Sequence, residues 1–508
     1  MLILGGRGCA LVRLGMPIAI ATASAPADLR GVDAWINQTL APVSDAVAAV
    51  VFHTVPLAGQ PFPLIVGWLI VLALVCTVVL GLPQWRGVRH AFDLLRGRYT
   101  DPKETGEVSH FQALTAALSG TVGLGNIAGV AVAVTIGGPG ATLWMVVAGL
   151  LGMASKFAEC TLGVRFRQHH DDGSVSGGPM YYLSGGLAHV GWPRLGRWLA
   201  VVFAVCCMGG ALGGGNMFQA NQAFHQMVNV TGGAASPLVG WGWLFGVVMA
   251  VAVGLAIIGG IRTIVRVTEK LVPLMAVLYL AAGLLILALH AAELGPALLR
   301  IWHGAFTSEG VAGGAVGALI QGFRRAAFSN EAGIGSAAIA HSAVRTGEPF
   351  SEGHVALLEP FIDTVVICTV TALVIGVTGV AQPGLTGVEL TSAAFAAGLP
   401  WFPEVLAVCV LLFAFSTMIA WSYYGLKAWT YLVGQGRRQE LAFKLFFCVC
   451  VVVGASMQLG PVIDFSDAMV FLMAVPNVIG LYLLMPMLRR DLARYRRRLA
   501  SGEIRALW

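Results

Sequence analysis

Charged residues are scarce in this sequence. Asp, Glu, Lys and Arg make up 11% of its 508 residues, against roughly 25% in ordinary soluble domains. So few charges cannot cover a soluble protein of this length, and disordered chains are rich in charge and poor in apolar residues. With 57% hydrophobic residues and a mean hydropathy of +0.80, the chain is predicted to be an all-α integral membrane protein.

Several chemical signatures are missing as well. No CxxC or Cys/His ligand spacing occurs, and eight of the nine cysteines lie within apolar runs, so we expect neither disulfides nor a metal site. No GxxxxGK[ST] motif is present, nor HExxH or GxSxG among the apolar runs, which argues against an ATP-driven device and against an enzyme. The basic residues lie in loops and at the end of the chain, so no nucleic-acid partner is expected.

About eleven apolar runs approach the 20 residues that cross a bilayer. Their approximate limits are 62–82, 112–136, 140–163, 198–222, 240–260, 271–291, 312–338, 357–379, 404–425, 441–459 and 464–487. Lys and Arg concentrate in alternate loops, beginning with the loop after the first run; Arg300 is the main exception. Because cytoplasmic loops are the basic ones, the N-terminus is predicted outside and the C-terminus in the cytoplasm.

The N-terminal region permits two interpretations. Arg7 and Arg13 precede an apolar run that ends in Ala23-Ser24-Ala25, so residues 1–27 resemble a signal peptide; the alternative is an uncleaved start. The other flanking segments are predicted to be an extracytoplasmic segment, a peripheral transmembrane helix and a basic cytoplasmic tail, at residues 28–61, 62–82 and 488–508. A bacterial cytoplasmic (inner) membrane fits this pattern.

Two of the apolar runs are poor helix formers. Each contains Gly-(Leu/Ile)-Gly-(Asn/Ser), starting at Gly123 and at Gly333. A glycine inside a helix costs about 1 kcal/mol relative to alanine, so these runs predict unwound backbone that lines a cavity; the alternative is a small-residue packing face. Each run opens a block of about five spans, 112–291 and 312–487, which is the inverted-repeat pattern of secondary transporters.

The breaks also predict a class of ligand. A half-helix presents N–H groups at its start and carbonyls at its end, each equivalent to about half a charge. The first kind of end suits a carboxylate, and the second suits an ammonium group or a sodium ion. Two facing breaks therefore favour a zwitterionic amino acid together with a cation.

At these residues the sequence resembles the alanine or glycine:cation symporter family, the sodium/alanine symporters. The run GTVGLGNIAGVAVA at 120–133 carries the resemblance, and further matching motifs lie at 137–141, 152–159, 177–183, 215–221, 329–333, 360–364 and 415–425. The resemblance extends from about residue 62 to about residue 485. It implies a LeuT-type core of five plus five helices behind one extra helix, and sodium- or proton-driven uptake of small neutral amino acids.

The resemblance also implies site residues. Substrate contacts are expected at Thr121, Gly123, Gly125, Asn126, Gln219, Asn330 and Trp421. A helix–helix hydrogen bond is the alternative for Gln219, and core packing is the alternative for Trp421. Sodium is expected at Ser416, Thr417 and Val122, since a hard cation takes oxygen ligands; alternatively, the two hydroxyls bond carbonyls of their own helix.

Intramembrane charges are candidates for function. Lys156 and Glu159 stand three residues apart, so we expect them to pair with each other rather than to form a gate. Glu331, beside the second break, could take a proton or help to hold the cation, and Asp363 could bond the break or coordinate nothing. The residues 169–172, His-His-Asp-Asp, are interpreted as a solvated loop rather than a metal site.

The sequence thus predicts a secondary active importer of alanine, glycine or a similar small neutral amino acid, with no cofactor except sodium or protons as coupling ion. One alternative is an amino-acid sensor on a transporter scaffold, although the segment after Met487 is too short for a signalling domain. The other is a membrane-embedded enzyme, which would need a nucleophile or metal constellation.

Overall fold

The computed structural model describes residues 31–57, 60–99, 104–171, 173–307, 314–380 and 385–506. The predicted signal peptide, residues 1–27, lies outside them. Across these ranges the chain is almost entirely helical, and seven of the described helices are long and apolar enough to cross a membrane. A bent pair of helices counts as an eighth span, and two shorter apolar helices accompany it. The predicted helical membrane fold is confirmed in outline, with two short two-stranded sheets besides the helices.

The first part of the chain holds one helix and a β-hairpin before the first apolar helix. The elements are α1 (Gly31–Val51), β1 (Thr54–Leu57), β2 (Gln60–Pro63), α2 (Leu64–Val79), α3 (Pro83–Arg86), α4 (Val88–Leu95), α5 (His110–Thr121), α6 (Val130–Gly137) and α7 (Ala141–Arg165). The strands β1 and β2 pair antiparallel. A π-helical turn, Gly125–Gly129, precedes α6.

The next part continues to the second glycine-rich run. Its elements are β3 (Gln168–His169), β4 (Val175–Ser176), α8 (Pro179–Tyr181), α9 (Leu187–His189), α10 (Pro193–Leu212), α11 (Phe218–Val230), α12 (Gly242–Ile257), α13 (Gly260–Leu289), α14 (Ala291–Phe306) and α15 (Gly314–Asn330). The strands β3 and β4 pair antiparallel. Another π-helical turn, Gly213–Met217, joins α10 to α11.

The last part repeats this mixture of long and short helices. Its elements are α16 (Ala337–His341), α17 (Pro349–Ala356), α18 (Leu358–Pro360), α19 (Thr369–Thr378), α20 (Gly387–Gly398), α21 (Phe402–Val433), α22 (Arg437–Ser456) and α23 (Leu459–Ala500). A π-helical stretch, Phe361–Cys368, joins α18 to α19. Residues 488–500 of the predicted tail continue α23 as helix.

Both glycine-rich runs interrupt a helix, as the sequence predicts. After α5 the backbone leaves helical geometry at Val122, with ψ 89°, and the two halves meet at a bend of 51°. After α15, Gly333 and Gly335 adopt φ 85° and 94°, a region open to glycine but strained for other residues. Glu331 also has a positive φ, 57°, so the second break holds a strained non-glycine residue.

The two breaks lie inside one continuous apolar core. Leu124 and Ile127 of the first break and Ile334 of the second are buried members of this core. The helix α20, which the sequence did not predict, covers the first break, because Thr391 Oγ1 donates to the carbonyl of Ile127 at 2.9 Å. The helical backbone therefore opens only where protein surrounds it, as the bilayer requires.

The first described helix, α1, and the C-terminal part of α23 form polar contacts with different sets of loops. Asp33 of α1 accepts from the amide of Gly242 at 3.1 Å, and Asn37 accepts from the amide of Gln458 at 3.0 Å. At the other end of the molecule, Arg496 of α23 donates to the carbonyl of Leu80 at 3.0 Å. Further contacts of the same helix are ion pairs of Asp491 with Arg165 and of Arg498 with Glu348, both at 2.7 Å.

Candidate functional site

Asn126 ties the first break to the π-helical stretch after α18. Its Oδ1 accepts from the amide of Gly123 at 2.9 Å, and its Nδ2 donates to Asp363 Oδ1 at 2.6 Å. The other carboxylate oxygen of Asp363 accepts from Ser329 Oγ at 2.9 Å, next to the second break. Asp363 therefore bonds both breaks, which is one of the two roles expected for it.

Asn330 stabilises the second break in a similar way. Its Nδ2 donates to Thr364 Oγ1 at 2.9 Å, and its Oδ1 accepts from the amide of Ala332 at 3.0 Å. A buried amide needs such partners to offset its desolvation. The side chains of Asn126 and Asn330 are thus occupied by the protein itself.

A small cavity lies between the two breaks. The lining residues come from both breaks and from four further elements, the π-helical turn after α10, α11, α21 and α23: Gly120, Thr121, Gly125, Gly214, Gln219, Phe328, Glu331, Trp421 and Val470. Four of the residues expected to contact substrate are among them, namely Thr121, Gly125, Gln219 and Trp421. Gly123, Asn126 and Asn330 are not.

The polar side chains of the cavity also hold the first break in place. Gln219 Oε1 accepts from the amide of Leu124 at 3.2 Å, and its Nε2 donates to the carbonyl of Gly214 at 2.9 Å. Trp421 Nε1 donates to the carbonyl of Gly120 at 3.2 Å. Both residues therefore combine the structural role and the cavity position that the sequence left as alternatives.

A glycine, Gly215, leaves space for the ring of Trp421 beside the cavity. A Cβ on Gly215 would collide with the ring of Trp421, so the π-helical turn between α10 and α11 presents bare backbone to it. Phe328 packs edge-on against Phe218 on another wall of the cavity. Aromatic rings and glycine backbone thus form part of the cavity wall, beside the polar side chains of Thr121, Gln219 and Glu331.

The paired hydroxyls on α21 differ in their partners. Ser416 Oγ donates to the carbonyl of Phe413, on its own helix, at 3.0 Å. The buried Oγ1 of Thr417 has no hydrogen-bond partner among the described residues, and it faces Gly123, where any Cβ would collide with it. An unpartnered buried oxygen beside backbone that leaves the helix at Val122 is the donor chemistry that a hard cation needs.

The expected pair of Lys156 and Glu159 is wrong. Lys156 Nζ donates instead to Glu359 Oε1 at 2.9 Å, and Glu159 Oε1 accepts from Asn477 Nδ2 at 2.7 Å. The i,i+3 rule describes side chains free to meet on a helix surface. Here both side chains are fully buried, so each bonds the neighbouring helix that it faces.

The comparison with known proteins decides the family. Residues 46–507 match the Sodium:alanine symporter family. The chain belongs to this family. It is 40% identical over 414 residues to the sodium/alanine symporter AgcS of Methanococcus maripaludis, which covers 80% of this chain and 88% of AgcS. It is 33% identical over 400 residues to the probable sodium/glutamine symporter GlnT of Bacillus subtilis, covering 78% and 80%.

A solved structure supports the fold of the symporter. The structure of MhsT in complex with L-phenylalanine matches with a TM-score of 0.50 at 16% identity, and the match covers 76% of this chain and 98% of that one. At this identity the likeness shows the LeuT-type fold alone. Together with the family match, it confirms that the chain is a secondary symporter and not an enzyme.

Some polar residues of the symporter core escaped the sequence reasoning. Glu359, His341, Glu352 and His110 are all buried, and each stands in or beside an apolar run, which was the available signal. In the loop expected to be solvated, His169 and His170 have exposed or partly exposed side chains, and Asp172 lies outside the described residues. Among the described residues, no group of three or more His, Cys, Asp or Glu could hold a metal ion.

Proposed function

We propose that this symporter imports a small neutral amino acid, alanine or glycine, together with sodium. The observation that carries the proposal is the small cavity between the two breaks, whose lining joins Trp421, Phe328 and glycine backbone to Thr121, Gln219 and Glu331. Glu331 is the one charged side chain in this lining, which favours a neutral amino acid whose ammonium group it can face, and the small size of the cavity favours a short side chain. The name of the relative AgcS, a sodium/alanine symporter, supports the same substrate class.

The substrate is held by its charged ends. We place the carboxylate at the first break, near Thr121 and at Gly125, where the second half of the broken helix begins, because the N-terminal end of a helix favours negative charge. The ammonium group then faces Glu331, and the side chain faces Trp421 and Phe328. Gln219 fixes the first break and offers its amide to the substrate, while Gly123, Asn126 and Asn330 keep the breaks open from behind.

The sodium ion lies beside the substrate, between α21 and the first break. Thr417 Oγ1 and the carbonyl of Val122 are its proposed ligands, and Ser416 supports the site. One sodium ion that moves down about 100 mV releases about 2.3 kcal/mol, and a tenfold concentration gradient adds about 1.4 kcal/mol. Together these support accumulation of a few hundredfold without ATP.

The proposed architecture has eleven spans. The seven long helices and the bent pair are joined by Leu64–Val79 and Gly242–Ile257, and the interrupted pair α15 and α16 completes the set. The blocks from α5 to α13 and from α15 to α23 then form two inverted repeats, and one moves against the other to alternate access to the cavity. Polar contacts of the first and last described helices support the orientation, because residues 491–498 of α23 contact loops of the basic set and α1 bonds Gly242 and Gln458, which adjoin loops of the other set.

Uptake into proteoliposomes tests the function. Labelled alanine should accumulate when a sodium gradient is imposed, and unlabelled glycine should compete; a proton gradient is applied in parallel to test the other coupling ion. If neither gradient drives accumulation of alanine or glycine, the proposal fails.

A pair of glutamines on α11 tests the site. Gln219→Ala should raise the alanine concentration for half-maximal uptake about tenfold, since a lost hydrogen bond to a charged group is worth about 1.5–3 kcal/mol. Gln226 is the matched control, because it is buried on the same helix but bonds Ser392 at 3.1 Å outside the cavity. Gln226→Ala should leave the half-maximal concentration unchanged.

A further inference from the structure

A cluster of buried basic and acidic side chains connects five helices: α5, α7, α16, α17 and α18. Glu352 contacts both His110 and His341, and His341 Nδ1 lies 2.5 Å from Glu352 Oε1. His341 Nε2 lies 3.5 Å from Glu359 Oε2, and Glu359 Oε1 accepts from Lys156 Nζ at 2.9 Å. None of these five side chains is more than 2% exposed.

One end of this cluster of side chains, Lys156, lies at the second break. The helix α7 packs along the break, because a Cβ on Gly152 would be 2.8 Å from Ala332 and one on Gly163 would be 2.9 Å from the carbonyl of Ala338. Lys156 stands between these two glycines in sequence. The other end is His110, the first residue of α5, which follows the exposed helix cap Ser109. The cluster therefore extends from a helix end near the surface to the broken helix.

The charges in this cluster do not balance without a proton. Glu352 and Glu359 are two buried carboxylates, and Lys156 is the lysine that pairs with one of them. An unpaired buried charge is strongly unfavourable. Among the described residues, His341 is the group that contacts both carboxylates, so a proton on its ring supplies a donor to each.

Unsatisfied atoms mark where that proton belongs. His341 Nε2 and Glu359 Oε2 each lack a hydrogen-bond partner among the described residues, although they face each other at 3.5 Å. A buried donor or acceptor left unpaired carries its full desolvation cost. Both atoms gain a partner if the His341 ring is protonated, because Nε2–H then donates a hydrogen bond to Glu359 while Nδ1–H donates one to Glu352.

His341 contacts Glu352 on α17 and Glu359 on α18. Further titratable groups lie near these two carboxylates: His110 on α5 and Arg167 after α7 near Glu352, and Lys156 on α7 beside Glu359. Glu159 and Cys160 on α7, Glu331 beside α15 and Tyr424 on α21 lie near Glu359. Four of these groups are carboxylic acids, against one lysine and one arginine, and this excess of acid favours the protonated ring over the neutral one.

We propose that His341 is a proton-binding site whose bound proton fastens the end of α16 to α17 and α18 behind the second break. The proton comes from water and is taken up by the neutral imidazole, with no change in oxidation state. Occupancy of this site sets the stability of the packed second break, and through it the transport rate. The part of the proposal that concerns transport rests on the proposed function; the part that concerns stability does not.

Thermal unfolding against pH tests the site in the purified full chain. Loss of the proton deprives two carboxylates of their shared donor. The melting temperature of the wild type should therefore fall as the pH rises above about 6.5, the ordinary pKa of histidine, because the folded protein holds this proton more tightly than the unfolded chain does. His341→Gln should lack most of this fall. Equal slopes for the two proteins would overturn the proposal.

A second buried histidine is the matched control. His354 on α17 bonds the carbonyl of Phe350, on its own helix, at 2.6 Å and contacts neither carboxylate. His354→Gln should therefore keep the wild-type dependence on pH. If His341→Gln does not fold, Glu359→Gln replaces it: the weaker hold on the proton should move the wild-type fall to lower pH, and an unmoved fall would overturn the proposal.

Sodium-driven alanine uptake at matched inner and outer pH is the second readout. The wild-type rate should change several-fold over the same range, and the His341→Gln profile should be flatter. An identical profile would contradict the proposal. If no protein transports alanine at any pH, the proposed function fails while the melting measurements still decide the proton site.

Discussion

Ser416 and Thr417 are adjacent hydroxyls that the sequence cannot distinguish. Only the packing of α21 against the first break separates them, because Ser416 bonds its own helix and Thr417 Oγ1 stays unpartnered beside Gly123. The same limit applied to Lys156, whose partner Glu359 lies 203 residues away. Motif residues such as Thr121 and Trp421 were predictable, whereas side-chain partners depend on tertiary packing.

Thr417→Val should weaken sodium coupling while the fold is kept. Valine matches the shape of threonine but removes the oxygen, and a ligand to a charged group is worth about 1.5–3 kcal/mol. We expect the sodium concentration for half-maximal alanine uptake to rise about tenfold. Thr135→Val is the control, because Thr135 Oγ1 bonds the carbonyl of Ala131, on its own helix, at 2.8 Å. Equal sodium dependence in both variants would remove Thr417 from the ion site.

At the scale of elements, the two helix breaks were predictable and the short helices were not. Clusters of glycine are unfavourable in a helix wherever they occur, so the local sequence is enough to predict the breaks. The helices α14 and α20 are shorter than a span, and α14 includes Glu293 and Arg300, so a search for long apolar runs passes over them. Their positions follow from the surfaces that they cover, such as the contact of Thr391 with the first break.

Two glycines of the first break should respond differently to substitution by alanine. A Cβ on Gly123 would collide with Thr417 Oγ1, whereas a Cβ on Gly129 would meet nothing within 4 Å. We expect Gly123→Ala to abolish sodium-driven uptake, because the methyl group fills the proposed ion site. Gly129→Ala should keep uptake and stabilise the protein by up to about 1 kcal/mol, since alanine favours the helix. Thermal unfolding and alanine uptake check both outcomes.

At the scale of the whole molecule, the distribution of Lys and Arg and the polar contacts of α1 and α23 divide the loops into the same two sets. The sequence places Lys and Arg in alternate loops, and the structure joins α23 to one set of loops through Leu80, Arg165 and Glu348. The other set meets α1 through Gly242 and Gln458. Composition could predict this sorting because it follows from the positive-inside rule, without knowledge of how any two helices pack.

Labelling of single cysteines should reveal the two faces of the membrane. Ala235 and Gln435 are exposed and lie in loops that five of the proposed spans separate, so they should stand on opposite sides. We expect a membrane-impermeant maleimide to label Ala235→Cys in intact cells, and Gln435→Cys only after permeabilisation. The eight described native cysteines are buried or half-buried, so the wild-type chain sets the background. The reverse pattern would invert the proposed orientation, and labelling of both sites in intact cells would contradict an odd number of spans between them.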